Sequence, residues 1–201
     1  MHHVCQRGVR SPCRRFRRHA RYGPAGARAS RRGRRDLQLP PREIEDLVAR
    51  QVDALSTIAA EAGIRLQHVK PHGALFNIAV RDRRVADAIV RAVAAADPSL
   101  ILFGLPQSHL LGAGSAAGLR TAREAFADRA YRADGTLVPR SEPGAVIDDP
   151  VEVLARVIGM ARDPNVDTIC VHGDTPGAAD LAARIRRALE AANIEVKSLS
   201  A

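Results

Sequence analysis

Two short blocks concentrate side chains able to move protons or hold charge. The first, His68-Val69-Lys70-Pro71-His72-Gly73-Ala74-Leu75-Phe76-Asn77, sets Lys70 and His72 two residues apart. The second, Cys170-Val171-His172-Gly173-Asp174-Thr175-Pro176-Gly177, does the same for His172 and Asp174. Residues two apart in an extended chain face the same way, so one block pairs a fixed cation with a proton carrier and the other pairs an imidazole with a carboxylate. Pro71 stiffens the turn inside the first block. Asp174 or Thr175 suits the cap of a following helix with Pro176 in its first turn, and a helix start attracts anions. A third stretch, Glu124-Ala125-Phe126-Ala127-Asp128-Arg129-Ala130-Tyr131, adds two carboxylates and a guanidinium. Lys70, His72, Glu124 and His172 are therefore the catalytic candidates, and Asp128, Arg129, Asp174 and Thr175 the candidates for holding substrate. Each has a structural alternative: a solvated lysine, a histidine satisfied by a loop carbonyl, an Asp128–Arg129 ion pair, an Asp174 that only caps.

The elements that must position these blocks alternate between short apolar runs and helical periods. Pro41 opens a helix whose apolar residues Ile44, Leu47, Val48, Leu55, Ile58, Ala59 and Ala62 recur at helical spacing until Gly63. The stretch 64–69 reads as a buried strand. A helix with Val85, Ile89, Val93 and Ala96 on one face follows and breaks at Asp97-Pro98. Leu100-Ile101-Leu102-Phe103-Gly104-Leu105 is a second strand, followed by a small-residue helix over 107–117. A third strand begins near Leu119 and runs toward Phe126. The stretch 128–150 is a long connection with turns at Asp134-Gly135 and Pro143-Gly144, too long for a plain linker. A helix over 151–161, a strand over 166–171, a helix over 178–192 with Arg184, Arg186, Arg187 and Glu190 outward, and a last strand at 194–196 complete the pattern. Strand and helix alternating with short connections predict an α/β class with parallel strands, in which functional groups gather at the carboxyl ends of the strands.

Charge divides the chain into a head and a body. The net charge of +9 arises in residues 1–35, which hold 12 Arg and no Asp or Glu; the other 166 residues carry 19 basic and 22 acidic side chains. The head, built of Arg, Ala, Gly, Pro and Ser without apolar period, is expected to be disordered. It reads as a nucleic-acid-binding arm, a targeting segment, or a stretch foreign to the domain. An arm would give salt-dependent binding lost on removing residues 1–35, but Phe16 and Tyr22 are its only stacking groups and the body is net acidic. No apolar run approaches the ~20 residues of a membrane span, and no secretory leader is evident, so the cytoplasm is the expected compartment. Cys5, Cys13 and Cys170 form no CxxC pair, and the histidines and carboxylates lack a spacing such as HExxH, so no metal is expected. The glycines at 112, 114 and 118 approach phosphate-loop spacing but lack the Gly-Lys-Ser/Thr ending; small-residue helix packing accounts for them better.

Taken together and in order, the three blocks, with Asp134-Gly135-Thr136-Leu137-Val138-Pro139-Arg140 after the third stretch, resemble the LamB/YcsF family of 5-oxoprolinase A subunits. The resemblance runs from about Gly33 to the C-terminus. It implies a seven-stranded β/α barrel of the glycoside hydrolase/deacetylase kind and ATP-dependent hydrolysis of 5-oxo-L-proline to L-glutamate with partner subunits B and C. Opening a lactam needs an anchor for the substrate carboxylate, activation of the amide and a proton for the leaving nitrogen. Lys70 or the helix after Asp174 suits the first task, and His72, His172 or Glu124 the last. The family's opening Asn-x-Asp-x-Gly-Glu strand, its Ala-Cys-Gly-Phe-His-Ala-Gly-Asp block and its Gly-Ala-His-Pro-Ser turn do not occur here; only Gly33-Arg34-Arg35-Asp36-Leu37 matches the end of that region. The expectation is a partial barrel over residues 36–201 lacking its first strands, preceded by a non-native head over 1–35 from a frameshifted or mis-started reading. An inactive remnant of the family is the alternative outcome of such a loss.

Overall fold

A computed structural model describes residues 39–173 and 177–199. The Arg-rich stretch 1–35, Asp174 and Thr175 lie outside the described residues. The chain order is α1 (Pro41–Glu61), β1 (His68–Val69), α2 (Gly73–Arg81), α3 (Arg83–Ala96), β2 (Ile101–Gly104), α4 (His109–Ala116), β3 (Thr121–Phe126), α5 (Pro150–Arg162), β4 (Thr168–Cys170) and α6 (Ala178–Ala191). The four strands lie side by side in sequence order, all parallel, with Val69 opposite Leu102, Phe103 opposite Ala122, and Phe126 opposite Cys170. Sequential parallel strands joined by helices make an α/β half-barrel, as the alternating pattern predicts.

Alternation along the strands divides the core. Val69, Leu100 and Leu102 face the helical layer, packed with Ile44, Val48 and Val52 of α1 and Val85, Ile89 and Val93 of α3. Ile169 and Val171 pack likewise against Val153 and Val157 of α5 and Ile185 and Leu189 of α6. The opposite face carries Ile101, Phe103 and Ala122 in one cluster, and Leu105, Phe126 and Cys170 with Phe76 in another. With a side-chain period of two, Glu124 falls between Ala122 and Phe126 on this concave face. The small residues of α4 serve packing: a Cβ at Gly114 would come within 2.9 Å of Leu102 Cδ2 and 3.1 Å of Thr121 Cγ2, so only glycine lets α4 lie this close to the sheet.

Several boundaries differ from the sequence reading. The ladder of β1 is limited to His68–Val69 rather than 64–69, and β3 starts at Thr121 rather than near Leu119. Residues 194–196 form no strand, although Leu199 of this tail packs on the Ile101–Phe103 cluster. Short apolar runs form a ladder only where a partner strand is in register, and this tail has none among the described residues. Leu55, expected on the apolar face of α1, is 40% exposed, while Val52 takes a buried place. The start of α6 also moves: its cap is Gly177, left-handed at φ 80°, where the sequence reading had placed Asp174 or Thr175. Among the described residues, no helix is long and apolar enough to cross a membrane.

Candidate active site

The carboxyl ends of β1, β3 and β4 bring distant parts of the sequence together. Lys70 follows β1 directly, and its Nζ lies 2.6 Å from Glu124 Oε2, with the two side chains 4% and 0% exposed. The same ammonium donates to Cys170 Sγ at 3.1 Å and stands 4.7 Å from the centre of the Phe126 ring. Three strands thus contribute one buried cation, one carboxylate and one thiol. The Lys70–Glu124 contact is a close ion pair rather than a directed hydrogen bond, and Glu124 Oε1 has no hydrogen-bond partner among the described residues. Burial pushes the Glu124 carboxyl above its ordinary range, against the pull of the Lys70 ammonium and of His172. Burial likewise pushes the Cys170 thiol up to about 11, which keeps it protonated and unreactive at neutral pH.

A second pair stands beside the first. His172, just beyond β4, places Nδ1 2.8 Å and 2.9 Å from the two carboxylate oxygens of Asp128, and its backbone N–H donates to Asp128 Oδ2 at 3.1 Å. Burial alone would raise the Asp128 carboxyl; the bond from the His172 ring, its charge and the backbone N–H outweigh it and hold the group below its usual value. An ionised Asp128 accepts a proton bond from Nδ1, which leaves Nε2 as the basic nitrogen. The His172 ring stacks on Phe126 at 5.6 Å between centres, and Phe76 meets Phe126 edge-on at 5.5 Å. Tyr131 closes this wall by accepting the Phe126 backbone N–H at 2.7 Å, and burial raises its hydroxyl to about 12.

Of the eight residues singled out by sequence, Lys70, Glu124, Asp128 and His172 meet at this one place. His72 does not share their setting. The chain turns into α2 at this point, with His72 at its cap, so His72 is exposed while Lys70 is buried. The two-residue parity expected of an extended chain fails where the strand ends. Asp128 and Arg129 do not form a pair with each other: Asp128 is taken by His172, and the buried Arg129 donates to the carbonyls of Ala145 and Val138, fastening the long connection between β3 and α5. Arg129 therefore shapes the mouth, and its guanidinium is engaged there by the protein itself.

Three contributors escaped the sequence reading. Cys170 shares the inner face of β4 with His172 by strand parity, a signal present in the sequence. Arg156 of α5 donates to the carbonyls of Ala127 and Arg129, at 3.1 Å and 2.9 Å, on either side of Asp128. Arg184 of α6, expected to face outward, instead lines a cavity of about 130 Å³ together with His172, Asp128, Asp148, Asp180 and Leu181. Among the described residues no group of three or more His, Cys, Asp or Glu is arranged to hold a metal ion.

The LamB/YcsF family model matches residues 29–201. The A subunit of 5-oxoprolinase from Bacillus subtilis (strain 168) is 46% identical over 180 residues, which cover 84% of this chain and 70% of the relative. The crystal structure of the lactam utilization protein from Thermus thermophilus superposes with a TM-score of 0.72 at 41% identity, covering 83% of this chain and 71% of that one. A parallel half-barrel with its polar cluster at the strand ends, matched over most of its length by these relatives, makes this chain a member of the LamB/YcsF family.

Proposed function

We propose that this chain is the A-type subunit of a cytoplasmic 5-oxoprolinase, which opens the ring of 5-oxo-L-proline to L-glutamate in an ATP-dependent hydrolysis with partner subunits B and C. Its four strands would belong to a seven-stranded β/α barrel of the glycoside hydrolase/deacetylase kind. Ring opening adds water across the amide C–N bond: the oxygen joins the carbonyl carbon and the nitrogen leaves with a proton. One group must take a proton from water and return one to nitrogen. The observation that carries the reading is the His172–Asp128 pair, since Asp128 fixes Nδ1 and so reserves Nε2 for that shuttle.

The Lys70–Glu124 pair supplies the second element. Its buried ammonium lies against Phe126, the ring on which His172 stacks, and adds positive charge behind that wall in surroundings that screen it weakly. Glu124, raised by burial, is a second carrier for the proton that the leaving nitrogen takes up. Lys70 is already bound to Glu124 and Cys170, which removes it from the substrate-anchoring task expected of it.

The glycine-rich stretch near phosphate-loop spacing does not form a nucleotide cradle. The glycines at 112 and 114 lie inside α4, and Gly114 packs on the sheet rather than cradling phosphate. The ATP dependence is proposed for the assembled enzyme. The test is reconstitution of the full chain with B- and C-type subunits, 5-oxo-L-proline and ATP, following glutamate release. The expected result is ATP-dependent release that His172→Ala abolishes. Absence of release, in an assay where the Bacillus subtilis relative is active with the same partners, would overturn the reading.

A further inference from the structure

The cavity beside His172 contains a cation that nothing else among the described residues uses. Arg184 is half-buried, yet its guanidinium makes no hydrogen bond or ion pair among them. Other shielded arginines of the body are engaged: Arg123 with Asp167, Arg129 and Arg156 with backbone carbonyls. A guanidinium kept partly out of water without a partner is costly, and its fork matches a carboxylate in two parallel bonds.

We propose that Arg184 binds the carboxylate of the cyclic amide on which His172 acts, and so restricts the site to lactams bearing an anionic substituent. This rests on the hydrolase reading above and assigns one of its tasks. Lys70 does not serve as the anchor expected of it, because it is sealed against Glu124. The cavity, at about 130 Å³, lies well below the ~300–1,000 Å³ of sites for drug-sized ligands and suits one small ring. Its wall includes Ala178, the first residue of α6, so the positive end of that helix adds to the guanidinium.

Three carboxylates also line the cavity. Asp128 stays ionised, but its oxygens are taken by the ring and backbone N–H of His172. Asp148 and Asp180 are exposed, where water screens them, and neither comes within ion-pair distance of Arg184 among the described residues. Their charge does not cancel a half-buried guanidinium, and it disfavours a ligand with a second negative group.

The test compares binding of 5-oxo-L-proline and of its neutral primary amide, 5-oxo-L-prolinamide, to the full chain by isothermal titration calorimetry. The wild type should prefer the acid by about 10-fold to 100-fold, the range of a charge-assisted bond. Arg184→Gln should bind both at the level of the amide, and Arg184→Lys should keep part of the preference. Equal binding of 5-oxo-L-proline by the wild type and Arg184→Gln would overturn the proposal while leaving the hydrolase reading in place. If Arg184→Gln does not fold, the wild type alone decides, since equal affinity for acid and amide rejects the anchor. If the wild type binds neither lactam, the proposal falls, and glutamate release by the reconstituted enzyme decides the hydrolase reading separately.

Discussion

Asp128 holds His172 at three points, through both carboxylate oxygens to Nδ1 and through Oδ2 to the backbone N–H, across 44 residues of sequence. The backbone bond fixes where β4 ends relative to β3, and the ring bonds fix which nitrogen carries the proton. Asp128→Asn keeps the shape but presents an amide N–H to Nδ1, which drives the imidazole proton onto Nε2. Turnover in the reconstituted enzyme should fall by about 100-fold or more, with an unchanged circular dichroism spectrum. Full turnover in Asp128→Asn would show that His172 does not work through Nε2.

The two buried carboxyls give opposite pH dependence. Asp128 is depressed in the folded chain, so the stability it contributes is complete above its unfolded value near about pH 4 and is lost as pH falls through the folded value. Glu124 is raised, so its contribution is complete below about pH 4 and is lost as pH rises through the folded value. Urea denaturation between pH 3 and pH 7, on the order of one titration per pH unit, should show a shallower acid-side loss in Asp128→Asn. Glu124→Gln should instead lose less stability on the rising side. Curves parallel to wild type in both variants would remove these two groups as the source of the dependence.

Breaking the Lys70–Glu124 pair should cost more than removing it. Lys70→Met leaves the Glu124 carboxylate buried without a counter-charge, a defect of about 3–5 kcal/mol. Replacing both, as Lys70→Met with Glu124→Leu, removes charge and partner together and should recover most of that loss. Thermal or urea unfolding of the two variants measures the difference. A double variant no more stable than Lys70→Met would mean that the pair contributes through its shape and not through its charge balance.

Much of this arrangement was legible in the sequence, and the exceptions share a cause. The helical periods of α1, α3, α5 and α6 and the apolar runs of β2 and β3 carry the α/β alternation, because each depends on neighbours within a few residues. Glu124 and His172 were legible as polar residues ending apolar strands. The partner of Asp128 was not, since the adjacent Arg129 is the near choice in sequence and His172 is near only after β3 and β4 pair. His72 was misplaced because the parity rule assumes an extended chain, and α2 begins one residue later. Arg184 looked solvent-facing because a helical period marks only the side opposite the core; at the mouth of a half-barrel the first turns of α6 border a cavity instead.

Arg156 is the residue whose removal best separates positioning from chemistry. It sits on α5, touches neither His172 nor the Lys70–Glu124 pair in its described bonds, and spans the carbonyls of Ala127 and Arg129 that flank Asp128. Arg156→Ala leaves both carbonyls without that donor, at about 1–3 kcal/mol of stability, and loosens the segment that presents Asp128 to His172. The expected kinetic signature is a fall in kcat of about tenfold with KM nearly unchanged, because the cavity lining itself is retained. Arg156→Lys, a single ammonium able to reach one carbonyl at a time, should lie between wild type and alanine. The decisive readout is the His172 Nδ1 proton resonance: if Arg156 acts through Asp128, the proton held by the carboxylate moves upfield in Arg156→Ala as that bond loosens. A destabilised variant whose Nδ1 proton resonance matches wild type would leave Arg156 as a brace for the β3–α5 connection and nothing more.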